Sequence, residues 1–108
     1  MHFDDYQKQA KTTLLPMKGT VDSDYMYLLL GLPAEVGELL EIFAKGIRDG
    51  FGPDVKRRMG KEIGDCLWFL AMIMDKASLR LDDAAKDNLN KLYMRAQNDT
   101  LRGSGDDR

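Results

Sequence analysis

The sequence predicts an all-α fold, a four-helix-type bundle completed by dimerisation, and two observations carry that reading. Apolar residues recur at three- and four-residue intervals through four segments, which are separated by clusters of Gly, Pro, Ser and Asp. No segment sustains the period-two alternation with β-branched residues that a half-buried strand requires. The chain of 108 residues is long enough for one domain with a single core. We divide it into a helical domain, 1–99, and a disordered tail, 100–108, which is poor in apolar residues and rich in Gly, Ser and Asp.

The first helix is expected over 3–13, where Phe3, Tyr6 and Ala10 share a face and Asp4 and Asp5 suit the positive helix start. Pro16 and Gly19 mark a loop. Thr20, Asp22 and Ser23 offer capping oxygens for a second helix over 24–47. Its expected stripe is Tyr25, Leu28, Leu29, Leu32, Val36, Leu39, Leu40 and Phe43, and Pro33 inside it should kink or restart the helix. The run from Lys45 to Pro53 reads as a glycine-rich loop. Asp54 is a cap for a third helix over 55–77, with Met59, Ile63, Leu67, Leu70 and Met74 as its core stripe. After a turn at 78–81, a fourth helix over 82–98 carries Ala85, Leu89, Leu92 and Ala96. Met26, Tyr27, Phe43, Trp68, Phe69 and Met72 fall off or beside the stripes, and helices apolar on more than one face bury the excess against a partner.

Composition excludes several classes. No apolar run approaches the ~20 residues of a membrane span, and we expect no signal peptide. One cysteine makes no internal disulfide, which fits a reducing cytoplasm. The 16 basic and 18 acidic residues leave a net charge of −2, which argues against non-specific binding to nucleic acid or to an anionic membrane.

The chemistry sits between Leu28 and Asp65. Glu35 and Glu38 stand three residues apart on one helix, and Glu62 and Asp65 repeat the interval on the next. That spacing puts both carboxylates of each pair on one helix face, where like charges repel. With 23 residues between Glu38 and Glu62, a short connection favours antiparallel packing, and the two pairs then face each other. Four carboxylates without a histidine form a hard-oxygen site suited to Mg²⁺, or to Mn²⁺, rather than zinc. The only histidine is His2, and Glu-x-x-His is absent, which disfavours a di-iron bundle. Glu41 forms a second Glu-x-x-Glu register with Glu38, so the inward pair stays open from sequence.

Lys45, Arg48, Lys56, Arg57, Arg58 and Lys61 surround the connection, and Lys91 and Arg95 share a face of the fourth helix. Cations beside a metal suit a polyphosphate ligand. Each feature also has an ordinary reading: a solvated face for the basic run, a small buried hydrophobe for Cys66, core for Trp68 and Phe69.

At these residues the sequence resembles a known family. Leu-Gly-Leu-Pro-Ala-Glu-Val-Gly-Glu (30–38) followed by Lys-Glu-Ile-Gly-Asp-Cys-Leu-Trp-Phe-Leu-Ala (61–71) resembles the MazG-like all-α nucleotide pyrophosphohydrolases, whose signature is Glu-x-x-Glu, a spacer, then Glu-x-x-Asp. The segment from Asn88 to Arg95, and Tyr6-Gln7 with Thr12, extend the likeness over about residues 3–97. It implies hydrolysis of a nucleoside triphosphate to the monophosphate and pyrophosphate, with Mg²⁺ on Glu35, Glu38, Glu62 and Asp65. It implies phosphate contacts from Lys91 and Arg95 with Asn88 orienting, and Lys61 joins them as a basic neighbour. A homodimer or dimer of dimers with clefts completed by two subunits is implied as well. Pro33 replaces the usual small residue, and Ala96 stands where a proline is usual. The alternatives are a non-catalytic helical module that binds a nucleotide or metal, and a phosphoribosyl-ATP pyrophosphatase. Base preference is left open, with Gln7 or Tyr27 as candidates.

Overall fold

Four helices follow one another in the computed structural model, which describes residues 1–19 and 23–108: α1 (Phe3–Lys11), α2 (Ser23–Asp49), α3 (Val55–Lys76) and α4 (Leu81–Gln97). No strand occurs among the described residues, and the all-α expectation holds. Of the oxygens expected to cap α2, those of Thr20 and Asp22 lie outside the described residues.

The framework is the α2–α3 hairpin. The two helices run antiparallel, and their far ends are tied where the Tyr25 hydroxyl donates to the Lys76 carbonyl at 2.8 Å and Lys76 Nζ meets Asp24 at 2.8 Å. α2 runs two residues further than expected, to Asp49, where the Gly50 N–H still reaches the Gly46 carbonyl at 2.8 Å. Asp54 precedes α3 but its side chain makes no capping bond; its carboxylate lies 3.7 Å from Arg57. α2 also continues through Pro33 rather than restarting there. Proline forfeits the bond to the Leu29 carbonyl, and both residues lie on the exposed side, where water serves the freed group.

The buried stripes differ from those expected. On α2 the inward residues are Leu28, Gly31, Leu32, Glu35, Leu39, Ile42 and Gly46, while Tyr25, Leu29, Val36, Leu40 and Phe43 are exposed. On α3 the inward set includes Met59, Glu62, Cys66, Phe69 and Met72, while Ile63 and Leu70 face out. Both helices have apolar residues on two faces, so periodicity marks two stripes and packing selects one. Gly31 makes the seam close: a Cβ there would stand 2.2 Å from Phe69 Cε1. The selected stripes carry Glu35 and Glu62 inward, between apolar neighbours.

α1 packs on α3, and α4 rests on α1 and α3. Gln7 of α1 locks this corner. Its buried amide donates to the carbonyls of Ala71 (3.3 Å) and Leu79 (3.0 Å) and accepts the N–H of Leu81 (3.0 Å), serving an otherwise unpaired donor at the start of α4. Arg80 adds an ion pair to Asp4. Only the start of α4 reaches the core, through Leu81; of the expected face Ala85 is half-buried, whereas Leu92, Ala96 and Leu89 (67% exposed) do not pack within the chain. Phe69 and Met72, expected beside the stripes, are core, whereas Met26, Tyr27 and Phe43 are exposed.

The outcome is an open molecule. Its radius of gyration is 17.1 Å, against about 13 Å for a compact chain of this length. Its accessible surface of 8236 Å² exceeds by about 2,100 Å² the ~6,100 Å² of a compact monomer of its mass.

Candidate active site and metal centre

Glu35 enters the site from α2, and Glu62 and Asp65 enter from α3. One carboxylate oxygen from each of these three lies within 4.8 Å of the others. Glu38, one turn beyond Glu35, flanks Glu62 and acts on the charge of both glutamates. Three of the four sequence-derived carboxylates therefore meet, with Glu38 beside Glu62 at their edge. Glu41 does not join them: it forms an exposed ion pair with Lys45 at 2.7 Å, which decides between the two registers.

The cluster is electrostatically unfavourable as it stands. Glu35 is pushed above its ordinary 4.5 first by burial and then by Glu38, Asp65 and Glu62. Glu62 is raised likewise, by burial and then by Glu38. Glu35 Oε2 and Glu62 Oε2 are shielded from solvent and have no hydrogen-bond partner. A buried carboxylate oxygen without a donor is costly, and a bound cation removes that cost. Oxygens on one Mg²⁺ lie at most about 4.2 Å apart, so small rotamer shifts close the cluster around an ion. The donor set fits a hard divalent cation. Cys66, half-buried below, has its thiol pushed up by burial and by these same carboxylates, which makes it a poor nucleophile.

Glu35 and Asp65 open onto a cleft of about 630 Å³, walled by Tyr27, Trp68 and Phe69 and roofed by the loop 13–18. Phe69 stands edge-on to Trp68 at 4.9 Å and tilted to Tyr27 at 5.6 Å between ring centroids. Trp68 Nε1 donates to Thr13 Oγ1 at 2.8 Å, pinning the loop. Trp68 and Phe69 thus serve both the core and the cleft wall. Lys18 lines the same cleft and was not singled out in the sequence, because nothing local shows that its loop folds back over α2 and α3. Tyr27 is at the cleft, whereas Gln7 is fully engaged in holding α4.

The expected phosphate-binding residues are not gathered here within one chain. Lys61 is exposed on α3 beside Glu62, and Asn88 is exposed on α4. Lys91 and Arg95 face the segment after α4, where both bind Asp106.

Residues 24–99 match the model of the MazG nucleotide pyrophosphohydrolase domain. The chain belongs to this family. The MazG match spans the hairpin with all four carboxylates and the whole of α4. The chain is also 33% identical to the Gene 37 protein of Mycobacterium phage L5, over the full length of both. No solved structure gives a significant match. No helix among the described residues is long and apolar enough to cross a membrane.

Proposed function

We propose that the chain hydrolyses nucleoside triphosphates, ribo or deoxyribo, to the monophosphate and pyrophosphate, in nucleotide-pool sanitation or degradation. The observation that carries the reading is the pair of buried, partnerless oxygens of Glu35 and Glu62, set beside Asp65 at the mouth of an aromatic cleft. In this reading Glu35, Glu38, Glu62 and Asp65 hold Mg²⁺, for which Mn²⁺ can substitute. When bound, the metal neutralises phosphate oxygens and favours ionisation of the attacking water. Glu38, at the open rim of the cluster, accepts the proton of that water as the α–β anhydride breaks. Tyr27, Trp68 and Phe69 take the base, and the cleft falls within the usual size range for a small-molecule site. Lys18 offers one cation at the cleft.

The remaining phosphate charge needs more cations than one chain brings to the cleft. We infer that Lys61, Asn88, Lys91 and Arg95 act on the phosphates in a homodimer or dimer of dimers, where helices of a second copy complete each cleft. The surplus surface and the exposed apolar faces of α2 and α4 support this assembly, since obligate interfaces bury about 2,000 Å² or more.

The test is pyrophosphate release from a panel of ribo- and deoxyribonucleoside triphosphates with Mg²⁺, with Mn²⁺ and with chelator. Metal-dependent release from at least one of them is expected, and Glu38→Gln should abolish it while the helical content and melting transition survive. Full activity in that variant, or release undiminished by chelator, overturns the reading.

A further inference from the structure

Asp106 occupies an anion site. Its Oδ1 accepts from Lys91 Nζ at 2.8 Å and from Arg95 Nη2 at 3.2 Å, and its backbone carbonyl also accepts from Arg95 Nη2 at 2.8 Å. Lys91 and Arg95 stand four residues apart on α4, where like charges repel and so favour an anion between them. Arg95 is the one buried residue of α4, and its Nε is enclosed without a partner, so its guanidinium is held in place rather than waving in solvent. Asp106 itself is exposed, and its carboxyl is held below the usual range by Lys91 first and then by Arg95. The acid is therefore ionised at neutral pH.

The segment is built to make this return. Gly103 (φ 111°) and Gly105 (φ 89°) take backbone conformations that side chains disfavour, and they reverse the chain after α4. Arg108 then closes the loop by donating to the carbonyls of Thr100 (3.0 Å), Leu101 (3.2 Å) and Gly105 (2.6 Å). Carboxylate and phosphate oxygens make the same charge-assisted bonds to Lys and Arg, so the two compete for one place.

We propose that the segment after α4 is an intramolecular competitor of the substrate: Asp106 holds Lys91 and Arg95 in the free protein and is displaced by the polyphosphate. This rests on the reading that Lys91 and Arg95 receive phosphate. The apparent affinity is then lowered by the fraction of molecules in which the pair is free. The latch acts on ground-state access and leaves the chemical step alone.

The test compares Asp106→Asn with Asp107→Asn in the full chain; the second removes the same charge from the neighbouring position. Binding of inorganic tripolyphosphate, measured by calorimetry in chelator, should tighten about three- to tenfold in Asp106→Asn and remain unchanged in Asp107→Asn. The same factor should appear as a fall in KM with kcat unchanged. Added Lys91→Ala should abolish the gain, and salt should shrink it by screening the exposed pair. In the unaltered chain, saturating tripolyphosphate should move the amide resonances of Gly103 and Gly105 to random-coil positions. Equal tripolyphosphate affinity for Asp106→Asn and wild type, equal gains in both variants, or glycine resonances that stay put overturn the latch. Absence of turnover with the tripolyphosphate effect intact overturns the enzymatic reading and spares the latch.

Discussion

Replacing Gly31 by alanine should destabilise the protein, although the same exchange at Gly60 should stabilise it. Both glycines lie inside long helices, where alanine is favoured by about 1 kcal/mol. At Gly60 the added methyl meets nothing within 4 Å, so the gain is kept. At Gly31 it would stand 2.2 Å from Cε1 and 2.4 Å from Cζ of Phe69, well inside the ~3.5–4.0 Å of a good contact. The ring has little room to retreat, being buried and held between Tyr27 and Trp68. Overpacking of this kind costs about 1–3 kcal/mol, which exceeds the helical gain. The net loss, about 1 kcal/mol, lowers the melting temperature by about 4–8 °C, and Gly60→Ala raises it by a similar amount. Thermal melts at one protein concentration read both signs. Adding Phe69→Leu to Gly31→Ala should show coupling of about 1 kcal/mol in favour of the double variant, because the smaller side chain frees the methyl's space. A Gly31→Ala protein that melts at or above wild type refutes the packing argument.

Two further outcomes follow from the site and from the α1–α4 corner. Folding raises the Glu35 carboxyl, so its contribution to stability is whole below about pH 4.5 and is lost as pH rises through the raised folded value. In chelator, Glu35→Gln should therefore melt above wild type at pH 7.5, and the gap should close near pH 4. Excess Mg²⁺ should stabilise wild type at pH 7.5 but not the variant, and a variant stabilised equally by Mg²⁺ would remove Glu35 from the metal set. Gln7→Ala strips partners from two carbonyls and one N–H and should cost about 2–3 kcal/mol, read by urea unfolding. A cost under 0.5 kcal/mol would mean that water serves these groups equally well.

Much of the candidate site was legible before any tertiary information. Two Glu-x-x-Glu/Asp pairs on successive helices joined by a short connection leave few arrangements, and the antiparallel hairpin brings Glu35, Glu62 and Asp65 together with Glu38 beside Glu62. That inference needs only helical period and connection length, both local properties. The choice between Glu35–Glu38 and Glu38–Glu41 was not local. It depended on Lys45, which draws Glu41 outward, and on Gly31, which lets Phe69 seat α3 along one particular side of α2.

By itself, the sequence determined four helices, their order, the acidic seam and the membership of a family with a stated chemistry. The first three follow from periodicity, from turn-forming residues and from the spacing of charged groups, and the last from the resemblance of residues 30–38 and 61–71 to a family signature; none requires knowing what lies across a contact. Only the tertiary structure decided which apolar face of each helix is buried, because α2 and α3 each carry two. It alone placed loop 13–18 and Lys18 over the cleft, and it alone turned Lys91 and Arg95 toward Asp106. Each of these depends on residues distant in sequence meeting in space, and no local pattern encodes such a meeting.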